Sequence, residues 1–238
     1  MPLVLCNGIG AGLEALDRLV AALDPELTLV RFDMPGLGGS PAPAMPYTFP
    51  QAAQLVHQLM RRLGHTRYDA LGYSWGGVAV QQLALQHSGS VRRIALICSN
   101  TGVMTVPGRP DSMATLLNPP PPDFGMDPAF AGRMFGGSAG DPALLTGEVQ
   151  AALTSASAPG YVYQLFAAGS WTSLPFLWTL RQPALVMVGD DDPVVPVANA
   201  ELMGRLIPRA RVHIFDGGHL DPLIRPECVA GQLNDFFG

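Results

Sequence analysis

A serine framed by glycines, Gly72-Tyr73-Ser74-Trp75-Gly76-Gly77, follows the apolar run Tyr68 to Leu71 and precedes the helical stretch Val78 to Leu85. Strand, G-x-S-x-G and helix in that order form a nucleophile elbow, the sharpest constraint the chain places on its own folding. So tight a turn crowds its neighbours, which is why small residues stand two before and two after the serine. It also leaves the Ser74 hydroxyl exposed at a helix N-terminus, where the dipole and free N–H groups favour developing negative charge.

A serine nucleophile needs a base, and the base needs a carboxylate to orient it. The apolar run Ala184 to Val188 leads into Gly189-Asp190-Asp191-Asp192-Pro193, and Val212 to Phe215 leads into Asp216-Gly217-Gly218-His219. Both groups thus stand at the C-terminal ends of strands, where open parallel sheets build their sites. Asp192 is selected because Pro193 fixes the turn and Asp192 lies furthest along the loop toward the histidine. Asp190 and Asp191 read as a solvated acidic turn. After the strand ending near Cys98, Ser99, Asn100, Thr101 and Gly102 offer no competing acid.

Four histidines read as structural. His57, His65 and His87 lie in or beside polar helical stretches, and His213 alternates with Val212 and Ile214 in a strand. His219 follows two glycines, which predict a mobile, open loop able to carry an imidazole over the sheet edge, with a proton affinity suited to neutral pH. Two backbone N–H groups are expected to stabilise the oxyanion: that of Trp75, after the nucleophile, and that of Ile9, in the loop Asn7 to Gly12. Asn7 is expected to buttress this loop and to contribute to substrate binding. A dinucleotide fingerprint fails there, because Leu13 stands where the third glycine belongs.

With these parts in place, the chain resembles the α/β-hydrolase superfamily over nearly its whole length. It resembles more closely the intracellular medium-chain-length polyhydroxyalkanoate depolymerases. The resemblance rests on Asn7-Gly8-Ile9-Gly10-Ala11, the run Phe32 to Ser40, Ser74-Trp75-Gly76-Gly77, Gln164-Leu165-Phe166-Ala167 with Gly169 to Ser173, and Gly189 to Pro193. It implies a Ser74, Asp192 and His219 triad that hydrolyses polyesters of 3-hydroxy acids without a cofactor. Family members usually carry a hairpin before the oxyanion-loop strand, whereas this chain starts at Met1-Pro2-Leu3. The sheet is therefore expected to lack those first strands and to leave Leu27 to Phe32 near an edge, through which two copies could pair as a homodimer.

The expected architecture is a mostly parallel sheet flanked by helices, an α/β-hydrolase fold. Strands are predicted near 2–6, 27–32, 68–72, 92–98, 184–189 and 211–215, and helices near 12–23, 50–63, 75–87, 197–206 and 226–236. Residues 1–99 and 181–238 form the core, and 100–180 a helical lid inserted after the sixth family strand. That segment is too long for a loop. Its Pro107, Gly108, Pro110, the run Pro119 to Pro122, Gly136-Gly137 and Gly160 predict short helices joined by hinges. Phe166, Trp171 and Trp178 are expected to bind the acyl substrate, and Met104, Met113, Met126 and Met134 suit a wall for varied chains.

At 238 residues and 48% apolar content the chain can bury a three-layer core as one domain. A net charge of −5 without a basic cluster gives no support to nucleic-acid binding. Cys6, Cys98 and Cys228 read as reduced thiols rather than disulfides or metal ligands. Without a basic leader or a bilayer-length apolar run, the expected location is cytoplasmic, at a storage-granule surface if the substrate is polymer. Three functions stay open: a polyester hydrolase; a carboxylesterase, lactonase or C–C hydrolase of small molecules; and a non-catalytic binding protein on the same fold.

Overall fold

The computed structural model describes residues 1–118 and 126–238. The predicted Pro119 to Pro122 hinge lies outside them. Six strands form one sheet: β1 (Leu3–Cys6), β2 (Leu29–Arg31), β3 (Tyr68–Tyr73), β4 (Val91–Ile97), β5 (Ala184–Gly189) and β6 (Ala210–Phe215). Their order is β2-β1-β3-β4-β5-β6, and every pairing is parallel, where a mostly parallel sheet was expected. β2 lies at an edge, paired only with β1.

The helices are α1 (Asp17–Ala22), α2 (Phe49–Arg62), α3 (Trp75–Gln86), α4 (Pro110–Leu117), α5 (Pro128–Phe135), α6 (Gly147–Leu153), α7 (Ala158–Gly169), α8 (Val197–Leu206), α9 (Asp221–Ile224) and α10 (Glu227–Phe237). Alternation along the strands sorts the core into two layers. Val4, Cys6, Ala70, Leu96, Val186 and Val188 pack against α2, α3 and α8. Leu3, Leu5, Leu71, Ala95, Ile97 and Met187 pack against α1, α9 and α10 on the other face. Burial on both faces explains why the strands read as nearly continuous apolar runs, each buried aliphatic side chain contributing about 1.5–3 kcal/mol.

Two elements differ from expectation. The helix predicted near 12–23 opens as a 3-10 turn over Leu13–Leu16, with the Leu13 N–H donating to Asp33 Oδ1 at 2.8 Å. Helix α9 was not foreseen. Between β4 and β5 the chain carries α4 to α7, a segment called the cap below, whose hydrogen bonds reach the loops that follow β1 and β5. Among the described residues, no helix is long and apolar enough to cross a membrane.

Candidate active site

Ser74 sits at φ 52°, ψ −117°, between β3 and α3. Only Cys98 shares a positive φ among the described non-glycine residues. Such a conformation costs about 1–3 kcal/mol and persists only where the surroundings enforce it. The neighbouring glycines do so. A Cβ on Gly72 would stand 2.3 Å from the Gly76 carbonyl oxygen, and one on Gly76 would stand 2.1 Å from the Cys6 carbonyl oxygen. Ser99 Oγ donates to the Ser74 carbonyl at 2.9 Å, tying the elbow to the end of β4. Because backbone opposes that methyl, Gly76→Ala is expected to cost more than the about 1–3 kcal/mol of ordinary overpacking. A denaturant midpoint close to that of the parent protein would refute this.

The structure brings Ser74, His219 and Asp192 into one hydrogen-bonded line. His219 Nε2 lies 3.1 Å from Ser74 Oγ, and His219 Nδ1 lies 2.8 Å from Asp192 Oδ2. An ionised carboxylate can only accept, so Nδ1 carries the proton and Nε2 is left to accept from Ser74. The other Asp192 oxygen accepts the Val194 and Val195 N–H groups at 2.9 and 2.8 Å, which fixes the carboxylate plane.

The loop carrying His219 is tied down rather than mobile, contrary to the expectation drawn from Gly217-Gly218. The His219 N–H donates to the Phe135 carbonyl at 2.7 Å, and the Tyr73 hydroxyl donates to the His219 carbonyl at 2.8 Å. Buried Asp221 accepts from the Gly218 and Ser138 N–H groups and from Arg225. The glycines serve close approach instead: a Cβ on Gly218 would lie 2.3 Å from the Phe135 oxygen. Asp190 and Asp191 are exposed but not merely solvated. Asp190 accepts the Gly217 N–H at 3.0 Å, and Asp191 accepts the Gly137 N–H of the cap at 2.8 Å.

The loop after β1 passes beside the serine, since a Cβ on Gly8 would lie 3.5 Å from Ser74 Cβ. Asn7 is buried, and its amide donates to the Gly12 carbonyl. That bond ties together the two ends of the loop. The cap clasps the same loop: Gly12 N–H donates to Ala152 O at 3.0 Å, Ala156 N–H to Gly10 O at 3.1 Å, and Gly10 N–H to Gln164 Oε1 at 2.8 Å. Trp75 and Ile9 flank Ser74 at the cavity described below, with Trp75 opening α3.

Residues 1–226 match the α/β-hydrolase fold family. The chain belongs to the α/β hydrolases. This hydrolase is 38% identical to a poly(3-hydroxyalkanoate) depolymerase of Ectopseudomonas oleovorans, over 99% of its own chain and 83% of that protein. It is 30% identical to a pimeloyl-[acyl-carrier protein] methyl ester esterase of Aromatoleum aromaticum, over 98% of the chain and 96% of the relative. Among solved structures, the enol-lactonase of Burkholderia xenovorans LB400 superimposes with a TM-score of 0.81 at 25% identity, covering 99% and 90% of the two chains.

Ser74 forms part of the floor of a cavity of about 450 Å³ in this hydrolase. The walls are mainly apolar, with Ile9, Val78, Val103, Met113, Leu117 and Leu165 among them. None of the four residues expected to bind substrate lines it. Asn7 is spent on holding the loop after β1. On α7 it is Leu165, Ala168 and Gly169 that face the cavity, so Phe166 turns outward, as the 3.6-residue period requires. Trp171 packs on Phe49 with ring centroids 5.3 Å apart and donates to Gln82 Oε1 at 2.9 Å. Trp178 is 62% exposed on the turn after α7, where Leu177 takes the buried side. Of the four methionines only Met113 reaches the cavity. Gly136 and Gly160 mark close contacts rather than hinges, a Cβ meeting Asp191 O at 1.9 Å and Gly36 O at 2.2 Å respectively.

Cys98 Sγ, Asp192 and His219 place ligand atoms within 4.8 Å of one another, the donor types of a metal site. Both His219 nitrogens and both Asp192 oxygens already have protein partners. Burial, reinforced by the Asp192 charge, holds the Cys98 thiol well above its usual range, away from the thiolate that binds metals. The cluster therefore suits a proton relay better than a cation cage. His57 and His87 stack 3.9 Å apart, and burial lowers the proton affinity of each.

Proposed function

We propose that this hydrolase cleaves the ester bonds of medium-chain 3-hydroxyalkanoate polyesters or oligomers through an acyl-enzyme. The observation that carries the reading is the Ser74–His219–Asp192 line at the floor of an apolar cavity. Ser74 Oγ attacks the ester carbonyl while His219 Nε2 takes its proton, and Asp192 stabilises the imidazolium. The carbonyl oxygen, now an anion, is held by the Ile9 and Trp75 N–H groups. His219 returns the proton to the departing alcohol, and water releases the acid by the same steps in reverse. No cofactor enters these steps.

Polymer as substrate is supported by the 38% identical depolymerase and by the outer surface of the cap. From Val149 to Leu180 the sequence contains no Asp, Glu, Lys or Arg. That stretch exposes Val162 and Phe166, one turn apart on α7, and Phe176 and Trp178 beyond it. Val103 and Leu117 are exposed and line the cavity as well, so apolar surface leads from solvent toward Ser74. An uncharged, apolar face suits adsorption to a water-insoluble granule. A carboxylesterase or lactonase of small molecules is the second reading, favoured by the methyl ester esterase and enol-lactonase likenesses.

Turnover of p-nitrophenyl esters decides between them when set beside turnover of medium-chain polyester. Each buried methylene contributes up to about 0.8 kcal/mol, so kcat/KM is expected to climb from C2 to about C8. Phe166→Ala with Trp178→Ala is expected to slow polymer turnover well beyond any loss on soluble esters. A flat chain-length profile, or equal losses on both substrates, gives the small-molecule reading.

A further inference from the structure

Gln164 is wholly buried in a cap helix whose neighbouring residues are apolar, and half of its side chain is left unsatisfied. Its Nε2 has no partner among the described residues. A buried unpaired donor is costly, and a methionine or leucine would fill the same volume without that cost. What position 164 supplies is two acceptors at one place, one that only the glutamine side chain provides and one from the backbone. Oε1 takes the Gly10 N–H at 2.8 Å, and the backbone oxygen takes the Trp75 indole N–H at 3.0 Å.

Those two bonds reach the two arms of the oxyanion hole. Gly10 directly follows Ile9 and has a positive φ of 76°, and the peptide it forms with Ile9 meets at the Ile9 Cα the Gly8–Ile9 peptide that carries the donor, so what holds the one restrains the other. The Gly10 N–H is held by Gln164, the Gly10 carbonyl by Ala156 N–H at 3.1 Å, and Gly8 by Ala11 N–H at 3.4 Å. Trp75 carries the other donor, and its indole is pinned between Gln164 and the Phe49 ring, whose centroid lies 4.6 Å away. We propose that Gln164 is a positioning residue that aligns both oxyanion donors, so that seating of α7 against the core sets catalytic competence.

The proposal rests on the ester-hydrolase reading and separates from it in the test. Gln164→Met removes the side-chain acceptor at similar volume. On a soluble medium-chain ester, kcat is expected to fall about 10- to 100-fold, below the full loss of an oxyanion donor, with KM little changed. The inhibition constant of an alkylboronic acid, whose tetrahedral adduct on Ser74 places an oxygen in the hole, is expected to rise by the same factor. That of the corresponding fatty acid is expected to stay put. Gln164→Glu gives a second, independent readout. Protonated, its carboxyl keeps the acceptor for Gly10; ionised, it sets a negative charge near the developing oxyanion. Its activity relative to the parent enzyme is therefore expected to fall as pH rises. A loss carried by KM, an unmoved boronate affinity, or a pH-independent Gln164→Glu ratio overturns the proposal. Should Gln164→Met not fold, the Gln164→Glu ratio decides. If the parent enzyme hydrolyses no ester, it is the function reading that fails instead.

Discussion

Ser74→Ala is expected to lower ester turnover by about four or more orders of magnitude, and His219→Ala by a similar factor. The double variant is expected to lose little more than either single one. The reason lies in the geometry: the 3.1 Å contact between His219 Nε2 and Ser74 Oγ makes each residue useless without the other. A serine without its base keeps its proton, and a base without the serine has no nucleophile to activate. What survives in every variant is whatever the oxyanion donors and the cavity contribute alone. Additive losses, with the double variant far below both singles, would mean that the two act in separate steps. A Ser74→Ala protein retaining a tenth of parental turnover would place the chemistry elsewhere. Organophosphonate labelling gives an independent check, since label should attach to Ser74 and disappear in that variant.

The strands were legible because both faces of the sheet are buried, which writes near-continuous Val, Leu, Ile and Ala runs into the sequence. Ser74, Asp192 and His219 were legible because each follows such a run and is marked by glycine or proline punctuation. Their partners were not. Asp221 holds the histidine loop, yet its bond to the Ser138 N–H spans 83 positions, and nothing local announces it. Gln164 meets Gly10 across 154 positions for the same reason. The cap misled the reading of the acyl wall. Around α7, Val162, Leu165, Phe166 and Ala168 are all apolar, so no polar stripe says which side faces the cavity. Phe166 was expected at the substrate, whereas it is Leu165 that lines the cavity. The paired glycines before His219 likewise carry two meanings, freedom and close approach, and contacts distant in sequence, with Phe135, Gly136 and Gly137, distinguish them.

Asp192→Asn tests the choice within the acidic loop and is expected to lower kcat/KM by about three to four orders of magnitude while the fold survives. The Asn carbonyl can still accept the Val194 and Val195 N–H groups, so the turn keeps its shape. Its amide then faces His219 Nδ1 as a donor. The imidazole must carry its proton on Nε2 to accept that bond, and Nε2 can then no longer receive the proton of Ser74. The imidazolium formed during attack also loses its carboxylate. Asp190→Asn and Asp191→Asn differ in kind. Each of those carboxylates accepts a single backbone N–H, from Gly217 and Gly137, a task the Asn carbonyl oxygen performs as well. Both are exposed, so losing the charge there costs little. Losses within a few-fold are expected for these two, with unchanged melting temperatures for all three variants. A severe Asp191→Asn, or a mild Asp192→Asn, would show that the Asp192–His219 contact is not the one that orients the base.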